Sequence, residues 1–278
     1  MNLSPITKKS LLFSFLFSTV IILILFCFQF FNKNTTIVFC DVGQGDGAYI
    51  RLKNKIDIVM DAGPANNMML SCLGKYMPFY DRTIEYAILS HPQVDHYGGF
   101  MEILKRYKIT TLYTLPIKGN GKTLSSFTSL LKKKHINTIN PSSGDSLVLP
   151  YAQIAFLSPH TSNRRLYAKD ENDLSVITEF TLPGLRIFFT GDVSWKVLNS
   201  LKIKKNNLKT ILKVPHHGSK YGLSLRFLQL AEPTDAVISV GKNNSYGHPS
   251  KKALDLLKAQ NIKIRGTDDE GDIIYRLN

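Results

Sequence analysis

The stretch that decides the fold is residues 90–99, which read SHPQVDHYGG. It follows an apolar run at residues 84–89 that is typical of a buried strand. His91, Asp95 and His96 therefore come at the carboxyl end of a strand, where open α/β sheets hold their sites. Imidazole and carboxylate groups suit Zn²⁺, Mn²⁺ or Fe²⁺. The stretch predicts a metal site, and its alternative is a polar loop with two solvated histidines.

The residues that follow predict how the chain leaves this strand. Gly98 and Gly99 favour a sharp turn, and the apolar spacing predicts a helix over residues 100–107. Short apolar runs predict two series of strands along the chain. Further helices are predicted over 68–76, 123–135, 223–230 and 251–259. Ser250 is the expected amino-terminal cap of the last of these helices.

Seven further segments share a pattern with residues 90–99. They are FCDVGQGD at 39–46, IVMDAG at 58–63, NDLSV at 172–176, FTGD at 189–192, KVPHHGS at 213–219, YGHP at 246–249 and GTDDEG at 266–271. In this order they resemble the metallo-β-lactamase superfamily, and more closely the hydrolase domain of the ComEC/Rec2 DNA-uptake competence proteins. The resemblance covers residues 36–278 and implies a four-layer αββα sandwich of the α/β class.

The resemblance also implies a metal site. The implied ligands are His91, Asp95, His96, Asp192 and one of His216 and His217. They would hold one or two divalent ions, zinc or manganese, with Asp192 holding one ion or bridging two. Two ions about 3.5–4 Å apart clamp a phosphate and activate a water between them.

Other side chains in these motifs are candidates for catalysis and for substrate binding. Asp95 and Asp192 would serve catalysis through the metal, Asp46 would orient water or substrate, and His248 would act as a ligand, an acid or a phosphate donor. Plain turn chemistry is the alternative for Asp46, and a surface loop is the alternative for His248. The substrate-binding candidates are Gln44, Asn172, Ser219 and Lys220.

Gln93 departs from the superfamily pattern, which has a histidine at that position. Glutamine is a weak, neutral oxygen ligand. We therefore expect one good ion on Asp95, His96, Asp192 and the late histidine, and a weaker or absent ion near His91. Such an oxygen-rich site favours Mn²⁺ or Mg²⁺ over tightly paired Zn²⁺.

Residues 11–31 form an apolar run without a charge. As a helix it would be about 31 Å long, enough to cross a bilayer core. Lys8 and Lys9 precede it, which predicts a cytoplasmic amino terminus and a single pass through the cell membrane. Residues 1–33 are then a stub and anchor, and 34–278 an extracytoplasmic hydrolase domain. A cleaved signal peptide and a lipid anchor at Cys27 are less favoured, because the exit lacks small residues and Phe26 precedes Cys27.

The chain is strongly basic, with 35 Lys and Arg against 21 Asp and Glu. A basic field favours a polyanion: nucleic acid, teichoic acid or an anionic lipid surface. The alternative is an ordinary solvated surface rich in lysine. The basic residues cluster at 132–134, 164–165, 202–205, Lys209, Lys213, Lys220 and 251–252.

The cysteines show no metal-binding spacing. Cys40 lies in a predicted strand and Cys72 in a predicted helix, so buried free thiols are expected. A disulfide between the two remains open, because sequence spacing does not decide it.

These features predict a membrane-anchored, metal-dependent phosphodiesterase, in the first place a nuclease acting on DNA outside the cytoplasmic membrane. One membrane segment cannot form a channel, so DNA-uptake channel proteins would be separate partners. The alternatives are a phosphodiesterase for other substrates, such as phosphorylcholine-bearing surface polymers, and a non-catalytic module that binds polyanions.

Overall fold

The computed structural model describes residues 7–31, 34–117, 121–160 and 170–277, so the predicted basic pair at 164–165 lies outside the described residues. The helices are α1 (Lys8–Phe31), α2 (Met68–Tyr76), α3 (Val94–Arg106), α4 (Lys122–Lys133), α5 (Trp195–Ser200), α6 (Leu225–Ala231), α7 (Lys251–Ala259) and α8 (Thr267–Glu270). The first seven strands are β1 (Thr35–Phe39), β2 (Gly47–Leu52), β3 (Ile56–Ala62), β4 (Thr83–Ile88), β5 (Lys108–Tyr113), β6 (Asn137–Ile139) and β7 (Ser146–Leu149). The others are β8 (Ala152–Ser158), β9 (Ile177–Leu182), β10 (Leu185–Phe189), β11 (Lys209–Lys213), β12 (Asp235–Ile238), β13 (Lys263–Gly266) and β14 (Ile273–Leu277).

The strands form two seven-stranded sheets with the orders β14-β1-β2-β3-β4-β5-β6 and β13-β12-β11-β10-β9-β8-β7. In the first sheet, β14, β1, β2 and β3 pair antiparallel, and β3 to β6 pair parallel. In the second sheet, β7 to β10 pair antiparallel and β10 to β13 pair parallel. Each sheet therefore has a parallel half whose strand ends lie at a common edge.

Alternate residues of the strands pack on opposite faces of each sheet. Ile50 in β2 and Ile187 in β10 belong to one apolar cluster that is shared by the two sheets. Tyr49 in β2 instead packs with Phe100 of α3 on the outer face of the first sheet, and the second sheet carries an equivalent outer cluster with α5, α6 and α7. Two sheets with helices on both outer faces give the αββα sandwich, and the predicted fold class is confirmed.

The helix after β4 begins six residues earlier than predicted, at Val94 instead of Phe100. Gly98 and Gly99 therefore lie inside α3 and not in a turn before it. A Cβ on Gly99 would overlap the carbonyl oxygen of Ala62, and one on Gly98 would overlap the backbone of Ala65. The two glycines thus serve the close approach of α3 to the end of β3. The predicted cap of α7 is confirmed, since the Ser250 hydroxyl accepts from the Ala253 N–H at 3.3 Å.

The expectation of free thiols at Cys40 and Cys72 is wrong, because the two residues form a disulfide. Cys40 follows β1, and Cys72 lies on the buried face of α2, which packs over that strand. Their Cα atoms are 6.0 Å apart. The sequence could not show that α2 packs against this strand.

We expect removal of this disulfide by Cys40→Ser/Cys72→Ser to lower the free energy of unfolding by about 3–4 kcal/mol, because the cross-link spans 32 residues of sequence and restricts the unfolded chain. Urea unfolding of fragment 34–278 would measure the change. Reductant should destabilise the parent fragment by a similar amount and leave the double variant unchanged. Equal stability of parent and variant would contradict the prediction.

Among the described side chains, none from α1 belongs to the three apolar clusters, whose buried residues lie between Ile37 and Ile273 and whose partly buried neighbours extend to Leu277. Fragment 34–278 therefore retains every residue of these clusters and can be studied by itself. Among the described residues, α1 is the one helix long and apolar enough to cross a membrane. Its apolar side chains from Leu11 to Phe26 are exposed.

Candidate metal centre

The predicted site residues meet at the carboxyl-terminal edge of the parallel strands. The first sheet supplies Asp61 at the end of β3, and Asp95 and His96 in the first turn of α3 after β4. The second sheet supplies Asp192 shortly after β10 and His217 shortly after β11. The site is thus assembled from both sheets.

Four side chains converge there: Asp95, His96, Asp192 and His217, whose candidate ligand atoms lie within 4.8 Å of one another. The Asp192 Oδ2 atom is 3.4 Å from the Nε2 atoms of both His96 and His217. The Asp95 Oδ2 atom is 3.5 Å from His217 Nε2 and 4.0 Å from His96 Nε2. Two imidazole nitrogens and two carboxylate oxygens form a donor set that suits a divalent transition metal.

Several buried atoms in this cluster lack a hydrogen-bond partner among the described residues. They are Nε2 of His91, His96 and His217, and Oδ1 of Asp192. Burying a polar atom without a partner is costly, and native proteins rarely tolerate it. A cation within the cluster would satisfy these atoms together. The residues present therefore fit a bound divalent metal.

Charge and burial compete strongly within the cluster. Burial disfavours the charged imidazolium of His96 and His217, but Asp192 and the other carboxylates outweigh it and raise the pKa of both histidines. Burial also works against the ionised form of Asp192, yet His217 and His96 hold its pKa well below the ordinary value. Burial lowers the pKa of His91 to about 3, which keeps that ring neutral. The carboxylates of this cluster thus favour positive charge at its centre.

Hydrogen bonds on the far side of each ring orient the two clustered histidines. His96 Nδ1 lies 2.9 Å from Asp61 Oδ2, and Asp61 also accepts from the Ser90 N–H and hydroxyl at 2.7 Å each. His217 Nδ1 lies 2.8 Å from the Ser239 carbonyl oxygen. Donation from both Nδ1 atoms directs the Nε2 atoms at the cluster, where a bound metal would take the place of their protons, the usual arrangement for metal-binding histidines.

The backbone after β11 selects between the two late histidines. His216 and His217 both have left-handed conformations, with φ of 49° and 52°, which is uncommon for residues other than glycine. The segment is fixed by the His216 N–H, which donates to the Gly191 carbonyl at 3.1 Å. As a result His217 is buried in the cluster, whereas His216 is partly exposed with its Nε2 atom 4.0 Å from Asp192 Oδ2.

His91 and Gln93 lie beside the cluster without joining the group of four. The His91 ring is 4.2 Å from the His96 ring, and its Nδ1 atom is 3.0 Å from the Ser90 hydroxyl. The Gln93 amide nitrogen donates to Asn172 Oδ1 at 2.6 Å. The substitution that departs from the superfamily pattern therefore links two loops at the edge of the site.

The remaining candidates lie outside the group of four. The His248 ring is 5.7 Å from that of His216, and Gln44 accepts from the Gly241 N–H at 3.2 Å. Ser219 is buried, and Lys220 is exposed with its ammonium 5.1 Å from the Tyr221 ring centre.

Sequence reasoning misplaced Lys213, which it counted with the basic surface clusters. The side chain is buried, its ammonium is ion-paired with Asp46, and it lies 3.8 Å from Asp192 Oδ1. Burial works against the charge on Asp46, but Lys213, His217 and His96 together outweigh it and lower the Asp46 pKa to about 2. A lysine inside the apolar run ILKVP was the available signal, since lysine is almost never buried without a partner.

Asp61 was also missed as a functional residue, although its segment was recognised. We expect Asp61→Asn to weaken metal binding about 10- to 100-fold, because a neutral amide is a poorer acceptor for His96 Nδ1–H and orients that ring less firmly. Competition with a chromophoric chelator would measure the affinity. Asp255→Asn on exposed α7 is the matched control, and equal affinities of the two variants would count against the role of Asp61.

The sequence of this chain is similar to a known superfamily and to competence proteins. The sequence model of the metallo-β-lactamase superfamily matches residues 41–242. The chain is 27% identical to ComE operon protein 3 of Bacillus subtilis (strain 168), covering 92% of this chain and 35% of that protein. It is 26% identical to competence protein ComA of Neisseria gonorrhoeae, covering 88% of this chain and 33% of that one. The chain thus spans about a third of the length of the curated relatives it matches.

A solved structure supports the fold independently. The metallo-beta-lactamase fold protein YhfI from Bacillus subtilis superposes with a TM-score of 0.56 at 15% identity, covering 88% of this chain and 100% of that chain. The superfamily match spans more than half of the chain and contains all four clustered side chains. The chain therefore belongs to the metallo-β-lactamase superfamily.

Proposed function

We propose that this protein is a membrane-anchored, metal-dependent phosphodiesterase that cleaves DNA outside the cytoplasmic membrane. The observation that carries the proposal is the convergence of Asp95, His96, Asp192 and His217, with buried atoms that lack hydrogen bonds. The superfamily match supports hydrolysis, and the similarity to competence proteins supports DNA as the substrate.

The clustered residues would hold the ion, and the neighbouring side chains would act around it. Held there, a divalent ion would supply polarisation of a phosphoryl oxygen and a pKa of bound water lowered toward ~7. Asp46, kept ionised by Lys213, lies within 3.2 Å of His217 Nδ1 and fixes that ring from behind. Its role is thus to position a ligand instead of contacting substrate.

Substrate would be held by side chains at the opening of the site. Burial, and then the neighbouring His216, lowers the pKa of His248, so that its ring is neutral and offers a hydrogen bond to a phosphate oxygen. The exposed ammonium of Lys220 supplies the charge. We assign Gln44, Asn172 and Ser219 to orienting the sugar–phosphate backbone at the same opening.

Two observations support placement outside the cytoplasm. Helix α1 is apolar over a membrane-spanning length and is preceded by Lys8 and Lys9. The Cys40–Cys72 disulfide is of a kind that persists in oxidising compartments. We therefore propose an anchor within residues 1–33, a catalytic domain at 34–278, and a separate channel protein as the partner that carries the DNA.

The test uses fragment 34–278 freed of metal. Single-stranded DNA, duplex DNA and bis(p-nitrophenyl) phosphate are each incubated with Mn²⁺, Zn²⁺ or Mg²⁺, and Asp192→Ala serves as the control. Metal-dependent DNA cleavage that is lost in the variant is the expected result. Cleavage of the small diester alone would point instead to surface polymers such as those bearing phosphorylcholine. DNA binding without turnover would indicate a non-catalytic module.

A further inference from the structure

The edge of the sandwich opposite the metal centre carries exposed aromatic and basic side chains. Strands β1, β3, β4 and β5 run in the same direction, because β1 and β3 are both antiparallel to β2 and the others pair parallel with β3. Their carboxyl ends lead to the metal centre, so their amino ends form the opposite edge. Helix α1 precedes β1 directly and therefore joins the domain at this second edge, here called the anchor edge.

An aromatic turn projects from the anchor edge. Residues 78–81 form a tight turn in which the Asp81 N–H donates to the Pro78 carbonyl at 2.9 Å. At its tip Phe79 is 80% exposed and Tyr80 is 44% exposed. The Tyr80 ring lies 6.0 Å from the ring of Phe26 in α1. Two exposed aromatic rings thus stand beside the membrane-spanning helix.

The contact with Phe26 sets the level of this turn along α1. Phe26 lies five residues before the end of the helix at Phe31, which is roughly 7 Å along the helix axis. The turn therefore lies beside the last part of the apolar span and not beyond it. Tyrosine and tryptophan side chains are enriched at this depth, where the apolar interior of a bilayer meets the headgroups.

A basic groove lies along the same edge, between the end of α3 and the starts of β4 and β5. It has a volume of about 480 Å³, and its charged lining consists of Arg82, Lys105, Arg106, Lys108 and Lys134. No carboxylate lines it among the described residues. Lys105 pairs with Glu102 outside the groove, and Arg82 donates to the Tyr107 hydroxyl at 2.8 Å. Arg106, Lys108 and Lys134 are exposed.

Nearby acidic groups do not cancel this charge. Asp57 and Asp81 are both ion-paired with Arg51. The lysines at 132–134 that sequence analysis related to a polyanion also lie here, at the end of α4. This part of the basic surface therefore lies at the edge opposite the metal centre, away from a phosphodiester that is being cleaved.

We propose that the anchor edge docks on the outer face of the bilayer that α1 enters, with Phe79 and Tyr80 in the interface and Arg106, Lys108 and Lys134 on the phosphates of anionic lipids. This inference rests on the membrane anchor of the proposed function. Arginine and lysine donate to phosphate oxygens, and a basic surface gains from the negative potential of such lipids. An exposed phenylalanine at the tip suits a bilayer better than a nucleic-acid backbone. The metal centre then opens away from the membrane.

The depth of the turn can be measured in the full chain reconstituted in vesicles of phosphatidylcholine and phosphatidylglycerol. The chain has one tryptophan, Trp195, which is 41% exposed at the metal-centre edge and serves as the reference. Phe79→Trp in a Trp195→Phe background is expected to lose most of its emission to lipids brominated near the headgroup, whereas the wild-type protein keeps its emission. Equal quenching of the two proteins would overturn the inference.

The lipid preference can be measured with fragment 34–278, whose core is complete without α1. The fragment is expected to sediment with phosphatidylglycerol vesicles but not with pure phosphatidylcholine. Arg106→Gln/Lys108→Gln/Lys134→Gln should lose this binding, and Lys251→Gln/Lys252→Gln/Lys258→Gln, with the same charge change on α7, should retain it. If the groove variant instead loses duplex DNA binding and keeps vesicle binding, the groove is a nucleic-acid interface and the inference fails.

Alkaline extraction of the full chain from vesicles tests the membrane anchor separately from the docking of the anchor edge. Release into the supernatant would refute the anchor, and with it the docked orientation. Retention of the chain together with an unquenched Phe79→Trp would refute the docking alone.

Discussion

Asp192→Ala is expected to reduce metal-dependent turnover by at least about 100-fold, more than the 10- to 100-fold cost of losing an outer partner of a metal ligand. Asp192 is central to the cluster, because its Oδ2 atom is 3.4 Å from both His96 and His217. Without this carboxylate only the more distant Asp95 is left as an anionic neighbour of both Nε2 atoms, and the remaining donors hold an ion weakly. Turnover of bis(p-nitrophenyl) phosphate and metal content after dialysis would measure the two losses.

Two further variants test whether the loss depends on the carboxylate of Asp192. Asp255→Asn removes an exposed carboxylate on α7 and should leave turnover and metal content unchanged. Asp192→Asn keeps the shape of the side chain and should still lose most activity, since an amide oxygen is a poor replacement for a carboxylate. Full metal content and activity in Asp192→Ala would refute the assignment of the centre.

Lys213→Met is expected to lower the free energy of unfolding of the metal-free fragment by about 3–5 kcal/mol, the usual cost of removing one partner from a buried ion pair. The Lys213 ammonium pairs with Asp46, lies near Asp192, and donates to the Gly191 carbonyl at 3.3 Å. Methionine fills a similar volume, so the loss would come from the buried carboxylates of Asp46 and Asp192, which lose the counter-charge of the ammonium. Urea unfolding would measure it.

A double variant separates charge from packing. Lys213→Met/Asp46→Asn removes both members of the pair and should recover much of the lost stability. Bound metal should also recover part of it, since the ion supplies positive charge to Asp192. If Lys213→Met is as stable as the parent fragment, the ammonium contributes nothing to the balance of charge in this site.

Local sequence patterns predicted the elements of the fold well. The apolar runs identified most strands, and the pattern of His91, Asp95 and His96 after one of them identified the edge where the site lies. The predicted secondary structure was wrong where a contact between residues distant in sequence decides it. Gly98 and Gly99 resemble a turn, yet they belong to a helix because β3 approaches it closely.

Among the site residues, too, local motifs predicted some positions, whereas contacts distant in sequence decide others. The motifs predicted Asp192 as a site residue and the structure places it in the cluster, but which of His216 and His217 lies there depends on a left-handed backbone conformation that no local pattern shows. Lys213 looked like surface charge because its partner, Asp46, is 167 positions away in the sequence. The direction in which the basic clusters face follows only from the arrangement of the strands.

The division of the site between two sheets affects when the protein becomes active. Asp95 and His96 come from the first half of the chain, Asp192 and His217 from the second, and β14 closes the first sheet against β1 at the very end. A chain that lacks its second half therefore cannot assemble the four-residue cluster, whatever metal is at hand. Any activity that depends on this cluster begins only once both sheets have formed and met.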